Sequence, residues 1–304
     1  MLNSIQYKNI TWVDIQDPKE NDITYLKKNF NFHELVLEEL IPPGHRQKVE
    51  HNDDYIFFIL YYPIFHKESE ETFPRELDIL VTKTHIITSH YEEIIPLKSL
   101  FDQINLYEES KSKYMAESAG HLLFYIMREI LENTLTKLEY IADKVNYIEE
   151  KIFNGQERKM VFEISVTKRN IIDFRRILAP QQSVIESLVK EGTKFFGEEL
   201  QPYFSDLRGT FGIVWNEIQD HRETINALAE TNESLLSTKI NEVIKVFTIF
   251  SVVFLPLTLI ASIWGMNIEN MPLTENVSGF WIITIIMAVV LVGMLGYFRS
   301  KRWL

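Results

Sequence analysis

Residues 246–264 read VFTIFSVVFLPLTLIASIW, and residues 280–298 read FWIITIIMAVVLVGMLGYF. Each run is 19 residues long and carries no charge. At 1.5 Å rise per residue each spans roughly 28 Å as a helix, close to the hydrocarbon thickness of a bilayer. A pair of buried core helices is the competing reading, but two uncharged runs in succession favour a membrane hairpin. Pro256 inside the first run is tolerable where neighbouring helices cover the freed backbone group.

Lysine and arginine placement orients the hairpin. Lys239 and Lys245 precede the first run, and Arg299, Lys301 and Arg302 follow the second. The loop between them, residues 265–279, holds no Lys or Arg and carries Glu269 and Glu275. The positive-inside rule therefore puts both termini in the cytoplasm and the short loop outside. Trp264, Trp281 and Trp303 stand near span ends, where interfacial aromatics belong.

Working outward, the rest of the 304-residue chain is far more polar, which brings the mean hydropathy to −0.08. A net charge of −12 argues against a nucleic-acid partner and is compatible with collecting cations. There is no cysteine, so disulfides and thiolate metal sites are excluded. The N-terminus lacks a basic region followed by an apolar core, so the expectation is that it stays in the cytosol.

The first hundred residues read as mixed α and β. Ile10–Ile15, Tyr55–Tyr62, Glu76–Thr82 and His85–His90 are β-branched and aromatic runs of strand length. Lys83-Thr84 is a hairpin spacing without Asn-Gly chemistry. Two short helices are expected between the first two strands, one opening after Asp17-Pro18 and one over Glu34–Ile41, stopped by Pro42-Pro43. From Lys113 the period becomes 3.6. Met115–Phe153 is one long helix closed by Asn154-Gly155, and Gln156–Lys190 is another with a kink at Pro180. Its apolar face holds Ile171, Phe174, Ile177, Leu178, Val184, Ile185 and Leu188.

A further helical pattern starts at Pro202 and runs into the first span. Helical throughout to Trp264, it is roughly 95 Å long. Such a helix needs a domain packed on it, copies of itself, or both. Ile244, Phe247, Ser251, Leu255, Thr258 and Ser262 fall at spacings of 3, 4, 4, 3 and 4, a heptad seam that mixes small polar with apolar residues. Simple helix packing accounts for such a seam, and so does a pore lining in a symmetric ring. The expected organisation is a cytosolic α/β domain at 1–112, a long-helix region at 113–245, spans at 246–264 and 280–298 around an external loop at 265–279, and a basic tail at 299–304.

Trp264-Gly265-Met266-Asn267 ends the first span. In that place the chain resembles the CorA family of divalent-cation channels, whose signature is an aromatic residue followed by Gly-Met-Asn. The resemblance covers essentially the whole chain: Trp12-Val13-Asp14 with Asp17-Pro18; Leu35-Val36-Leu37-Glu38-Glu39; Arg46-Gln47-Lys48-Val49-Glu50 with Asp53-Asp54-Tyr55; Pro202-Tyr203-Phe204-Ser205-Asp206; the stretch Leu236 to Val246; Pro256-Leu257-Thr258; and Lys301-Arg302-Trp303-Leu304. It implies a homopentameric funnel around a central pore, with Gly265, Met266 and Asn267 as the selectivity filter. It also implies regulatory Mg²⁺ between neighbouring subunits, held by Glu39 with Glu38 adjacent on one and Asp206 on the next. Transport would be passive Mg²⁺ uptake, with Co²⁺ and Ni²⁺ as further substrates. The chain departs from the family in reading Met271-Pro272-Leu273-Thr274 after the signature, in the bulk of Phe247, and in Ser262 where a glycine is common.

A zinc transporter of the ZntB branch shares this architecture. The intact Gly-Met-Asn and the absence of a His-rich segment, with His33, His45 and His51 merely scattered, lean toward magnesium. A membrane-anchored scaffold would not need a Ser- and Thr-bearing seam. No nucleophile elbow, H-E-x-x-H, dinucleotide loop or P-loop occurs, so an enzyme is not expected.

Overall fold

A computed structural model describes residues 2–41, 46–66, 71–267, 272–273 and 277–303. They divide into two compact units, 1–230 and 231–304, and the unbroken helix α9 contributes to both.

The first unit is built on a six-stranded mixed sheet of order β1-β2-β6-β5-β4-β3. Its strands are β1 (Leu2–Tyr7), β2 (Ile10–Gln16), β3 (Lys48–His51), β4 (Ile56–His66), β5 (Glu71–Val81) and β6 (His85–His90). All neighbours are antiparallel except β2 and β6, which run parallel. The four expected strands are present. The edge strands β1 and β3 were not expected, because LNSIQY and KVEH show little of the apolar alternation that marks a half-buried strand. The β5–β6 turn works without Asn-Gly because the Thr82 hydroxyl accepts from the backbone N–H groups of Thr84 and His85, at 3.2 and 2.9 Å.

Helices α1 (Glu20–Asn29) and α2 (Glu34–Glu38) cover one sheet face, where Val13, Ile15, Phe57, Ile59, Leu80 and Ile87 pack with Leu26, Val36, Leu37 and Leu40. Asp17-Pro18 does not cap α1. The N-cap is Lys19, its backbone N–H bonded to Asp22 Oδ2 at 3.0 Å, and Asp17 sits just before it with φ +54°. The Asp22 carboxylate satisfies the helix entry from inside, so no cap from Asp17 is required. Helix α2 is shorter than expected and ends at Glu38; Pro42-Pro43 lie outside the described residues.

Helices α3 (Ile95–Leu106) and α4 (Glu108–Met115) precede α5 (Ala119–Phe153), which opens at Ser118, whose side chain accepts from the His121 N–H. Trp12, on the other sheet face, meets Phe101 of α3 edge-on and donates to Thr88, which donates to Asp14. The close of α5 is the expected one. Gln156 N–H reaches Lys151 O at 3.0 Å and Gly155 N–H reaches Ile152 O at 3.1 Å, with Gly155 at φ +82°. This 6→1 and 5→2 pair is a Schellman motif, and its left-handed residue favours glycine.

The segment expected as one kinked helix is several. It comprises α6 (Glu157–Leu178), α7 (Gln181–Ser187), a π-helical turn at Leu188–Gly192 and α8 (Thr193–Phe196). Pro180 and the π turn break the ladder, yet all seven residues of the expected apolar face are buried. Helix α9 runs Gln201–Trp264, and α10 runs Val277–Ser300. Along the first part of α9, Phe204, Leu207, Phe211, Val214 and Ile218 are buried at alternating three- and four-residue steps, and Ile225 and Leu228 continue the same face two turns on.

Candidate ion-conducting site

Both α9 and α10 are long and apolar enough to cross a membrane. Helix α9 continues through Pro256, which removes only the N–H that would have bonded the Val252 carbonyl. The hairpin contact is made by Ile249 and Val253 of α9, with Leu257, against Leu291, Met294 and Phe298 of α10. Two arms of the hairpin also meet at its basic end. Lys245 Nζ donates to Arg302 O at 3.2 Å and lies 6.0 Å from the Trp303 ring, which stacks on Phe298. This gathers Lys245 and the basic tail at one end of the hairpin.

The seam takes the opposite side. At about 100° of rotation per residue, Ile244, Phe247, Ser251, Leu255, Thr258 and Ser262 centre roughly 160° away from the Ile249–Val253–Leu257 face. All six are exposed; Phe247 is 67% and Leu255 69% exposed. Ser251, Leu255, Thr258 and Ser262, flanked by Phe254 and Leu259, line an open groove. Thr258 donates its hydroxyl proton to Phe254 O at 2.8 Å. The outward side of that oxygen is therefore an acceptor, suited to water or a cation.

At the end of the first span the helix closes with Gly265 N–H on Ala261 O at 2.9 Å and Met266 N–H on Ile263 O at 3.3 Å. A Cβ on Gly265 would stand 3.0 Å from the Ala261 carbonyl oxygen, so even alanine forces a shift there. Met266 and Asn267 follow with exposed side chains. Trp264 Nε1 donates across to Pro272 O at 3.3 Å. Glu269 and Glu275 lie outside the described residues, as do Met271 and Thr274.

In the first unit, Glu39 is the C-cap residue of α2, and Lys48 Nζ stands 2.7 and 2.6 Å from its two carboxylate oxygens. Glu38 is exposed. Asp206, on the exposed side of α9, is one of the acids that raise the Arg128 guanidinium, behind its hydrogen bond to Glu132. Within one chain the structure does not gather these acids. Among the described residues no group of three or more His, Asp or Glu is placed to hold a metal ion. The engagement of Glu39 by Lys48 was missed by the sequence reading, although Lys48 belongs to a stretch that carried the resemblance.

Comparison with known proteins agrees with this architecture. The model of the CorA-like Mg²⁺ transporter protein family matches residues 7–302. The cobalt/magnesium transport protein CorA of Thermotoga maritima is 28% identical, over 97% of this chain and 83% of its own. The structure of the CorA magnesium transporter from Methanocaldococcus jannaschii superposes with TM-score 0.85 at 23% identity, covering 100% of this chain and 95% of that one. The ZntB cytoplasmic domain from Vibrio parahaemolyticus superposes with TM-score 0.63 at 13% identity, covering 76% and 90%, a likeness of fold alone. An α+β domain with long helices and a C-terminal two-helix hairpin, signed Gly265-Met266-Asn267 and matched over nearly its whole length, makes this chain a member of the CorA family of divalent-cation transporters, membrane proteins and not enzymes.

Proposed function

We propose that the protein is a homopentameric channel for passive Mg²⁺ uptake, with Co²⁺ and Ni²⁺ as lesser substrates. The observation that carries the reading is the exposed seam of α9, turned away from α10 and mixing hydroxyl with apolar residues. Copies of the chain arranged around an axis cover that face and line a pore with it. Rings of Ile244, Phe247 and Leu255 then form dry constrictions, while Ser251, Thr258 and Ser262 offer oxygens to a hydrated ion. Asn267 forms the outer filter. Mg²⁺ sheds water reluctantly, so an amide ring that hydrogen-bonds the intact shell selects it without trapping it. A divalent ion crossing 100 mV, inside negative, gains about 4.6 kcal/mol, so no energy-coupling site is required. In this arrangement the basic end, with Lys245 and Arg302, faces the cytoplasm at the cell membrane.

Glu39, with Glu38 beside it, and Asp206 of a neighbouring subunit hold regulatory Mg²⁺ in this reading. The donor set is all carboxylate, the hard oxygen ligation that Mg²⁺ takes. Filling the site stabilises the closed ring by mass action, so rising internal Mg²⁺ shuts the channel. The test is flux into liposomes carrying the purified protein. Mg²⁺ uptake driven by an inside-negative potential, well above Zn²⁺ uptake, is expected; uptake of Zn²⁺ without Mg²⁺ would overturn the assignment in favour of zinc transport.

A further inference from the structure

Four side chains lie in one row across the sheet. Lys48 pairs in register with Ile59, Ile59 with Asp78, and Asp78 with Ser89. Residues directly opposite on neighbouring strands share a face, here the face covered by α1 and α2. Asp78 therefore stands among core residues. It is 1% exposed, and among the described residues neither of its carboxylate oxygens has a hydrogen-bond partner; nor has the Ser89 hydroxyl beside it. An unpaired buried carboxyl is costly, and a site that keeps one calls for a reason.

The groups around Asp78 come from several elements. Glu76 lies two residues away on β5, and Tyr61 of β4 donates to it at 2.6 Å. Glu39 comes from the end of α2, Lys48 from β3, and Tyr91 follows β6 and donates to Leu40 O at 2.5 Å. Burial holds the Asp78 carboxyl well above the usual carboxylate range, Glu76 and Glu39 add to this, and Lys48 opposes it. Burial also acts to lower the Lys48 ammonium, but its bonds to Glu39 and Glu50 outweigh that and leave it raised. The ammonium thus sits on Glu39, with the Asp78 carboxyl two strands further along its own row, beyond Ile59. Two strand spacings are about 10 Å between backbones, a gap that the four-carbon stem of a lysine narrows to within reach of a shorter acid.

We propose that Lys48 sets the threshold of the Glu39 site, and that Asp78 is the acceptor to which its ammonium turns when a divalent cation takes Glu39. The inference rests on the reading of Glu39 as a Mg²⁺ ligand. A cation arriving there competes with an ammonium already 2.6 Å from the carboxylate. Displacement without a second acceptor would leave that ammonium half-covered with only Glu50, an exposed partner. Asp78 supplies a second partner on the same face: its carboxyl, kept protonated by burial, gives up that proton to solvent as the ammonium arrives and becomes the paired carboxylate. Lys48 and Asp78 are thus positioning residues of the sensor: the first weakens its affinity into a useful range, and the second keeps it from becoming too weak.

The experiment is Mg²⁺-dependent protection of the full-length protein from limited proteolysis, read as a midpoint concentration. Lys48→Met should lower the midpoint about tenfold, and Asp78→Asn should raise it several-fold. In the Lys48→Met background, Asp78→Asn should change nothing, because there is no ammonium to receive. An equal shift from Asp78→Asn in both backgrounds overturns the handover, as does an unchanged or higher midpoint in Lys48→Met. Should Asp78→Asn fail to assemble, Asp78→Ser carries the same expectation. The parent reading is tested apart from this by Glu39→Gln: a wild-type midpoint in that variant removes Glu39 from the sensor and the handover with it, while loss of protection there, joined to equal Asp78→Asn shifts, sinks the handover alone. A wild-type protein that shows no Mg²⁺-dependent protection overturns both.

Discussion

Thr258 spends its hydroxyl proton on the carbonyl of Phe254, 2.8 Å away, and so shows the exposed face of α9 an oxygen that can only accept. A valine there keeps the shape and removes the acceptor. Thr258→Val should cut Mg²⁺ flux about tenfold, the equivalent of 1.4 kcal/mol at the barrier, with assembly unchanged. Thr258→Ser should restore most of it. Equal flux in all three proteins would show that this ring does not meet the ion.

Asn267 follows the last turn of α9 with its side chain exposed, so its removal costs little packing. Asn267→Ala should abolish flux while leaving the oligomer intact by size-exclusion chromatography. Normal transport by this variant would remove the filter from Gly265-Met266-Asn267.

Phe247 is 67% exposed and is the bulkiest apolar side chain of the seam, so in the proposed pore it makes the bulkiest constriction. Phe247→Ser replaces a dry constriction with a wettable one. The expected result is a leak at high internal Mg²⁺, at least several-fold above wild type in the same liposomes. Unchanged closure would place the gate at another ring.

Lys137 is a half-buried amine in the first unit, donating to Pro63 O at 2.9 Å and lying 4.2 Å from the centre of the Tyr62 ring. Burial pushes it down to about 8. The unfolded chain holds its lysines near 10.4, so between about 8 and 10.4 the unfolded state binds more protons and stability rises with pH. Below about 8 the full cost of keeping this half-buried ammonium charged is present. Lys137→Met keeps the stem and removes the charge. Its thermal unfolding midpoint should exceed wild type at neutral pH, and the two should converge by about pH 10. A constant difference across that range would mean that Lys137 is not what titrates.

The differences between reading and structure follow a physical division. Amphipathic and membrane helices declare themselves along the chain, because their apolar spacing and charge exclusion are properties of consecutive residues. The Asn154-Gly155 stop, the buried face of Ile171 to Leu188, the hairpin spans and the seam were all legible for that reason. The edge strands β1 and β3 were not, since an edge strand is defined by the neighbour that accepts its hydrogen bonds. Nor was the division of residues 156–196 into several pieces, because a π turn costs no change in composition. Asp17-Pro18 resembled a helix start, yet a carboxylate three residues into the helix, Asp22, does the capping.

The sequence by itself determined the membrane hairpin, its charge asymmetry, the seam and the Gly-Met-Asn signature, each carried by residues adjacent or one helical turn apart. Only the tertiary structure decided which way the seam looks, since that depends on Ile249 and Val253 meeting α10 on the other side. It also decided that Lys48, Ile59, Asp78 and Ser89 share a row. Strand register sums three pairings across loops of different length, and a slip of one residue in any of them would break the row by turning one of its members to the opposite face.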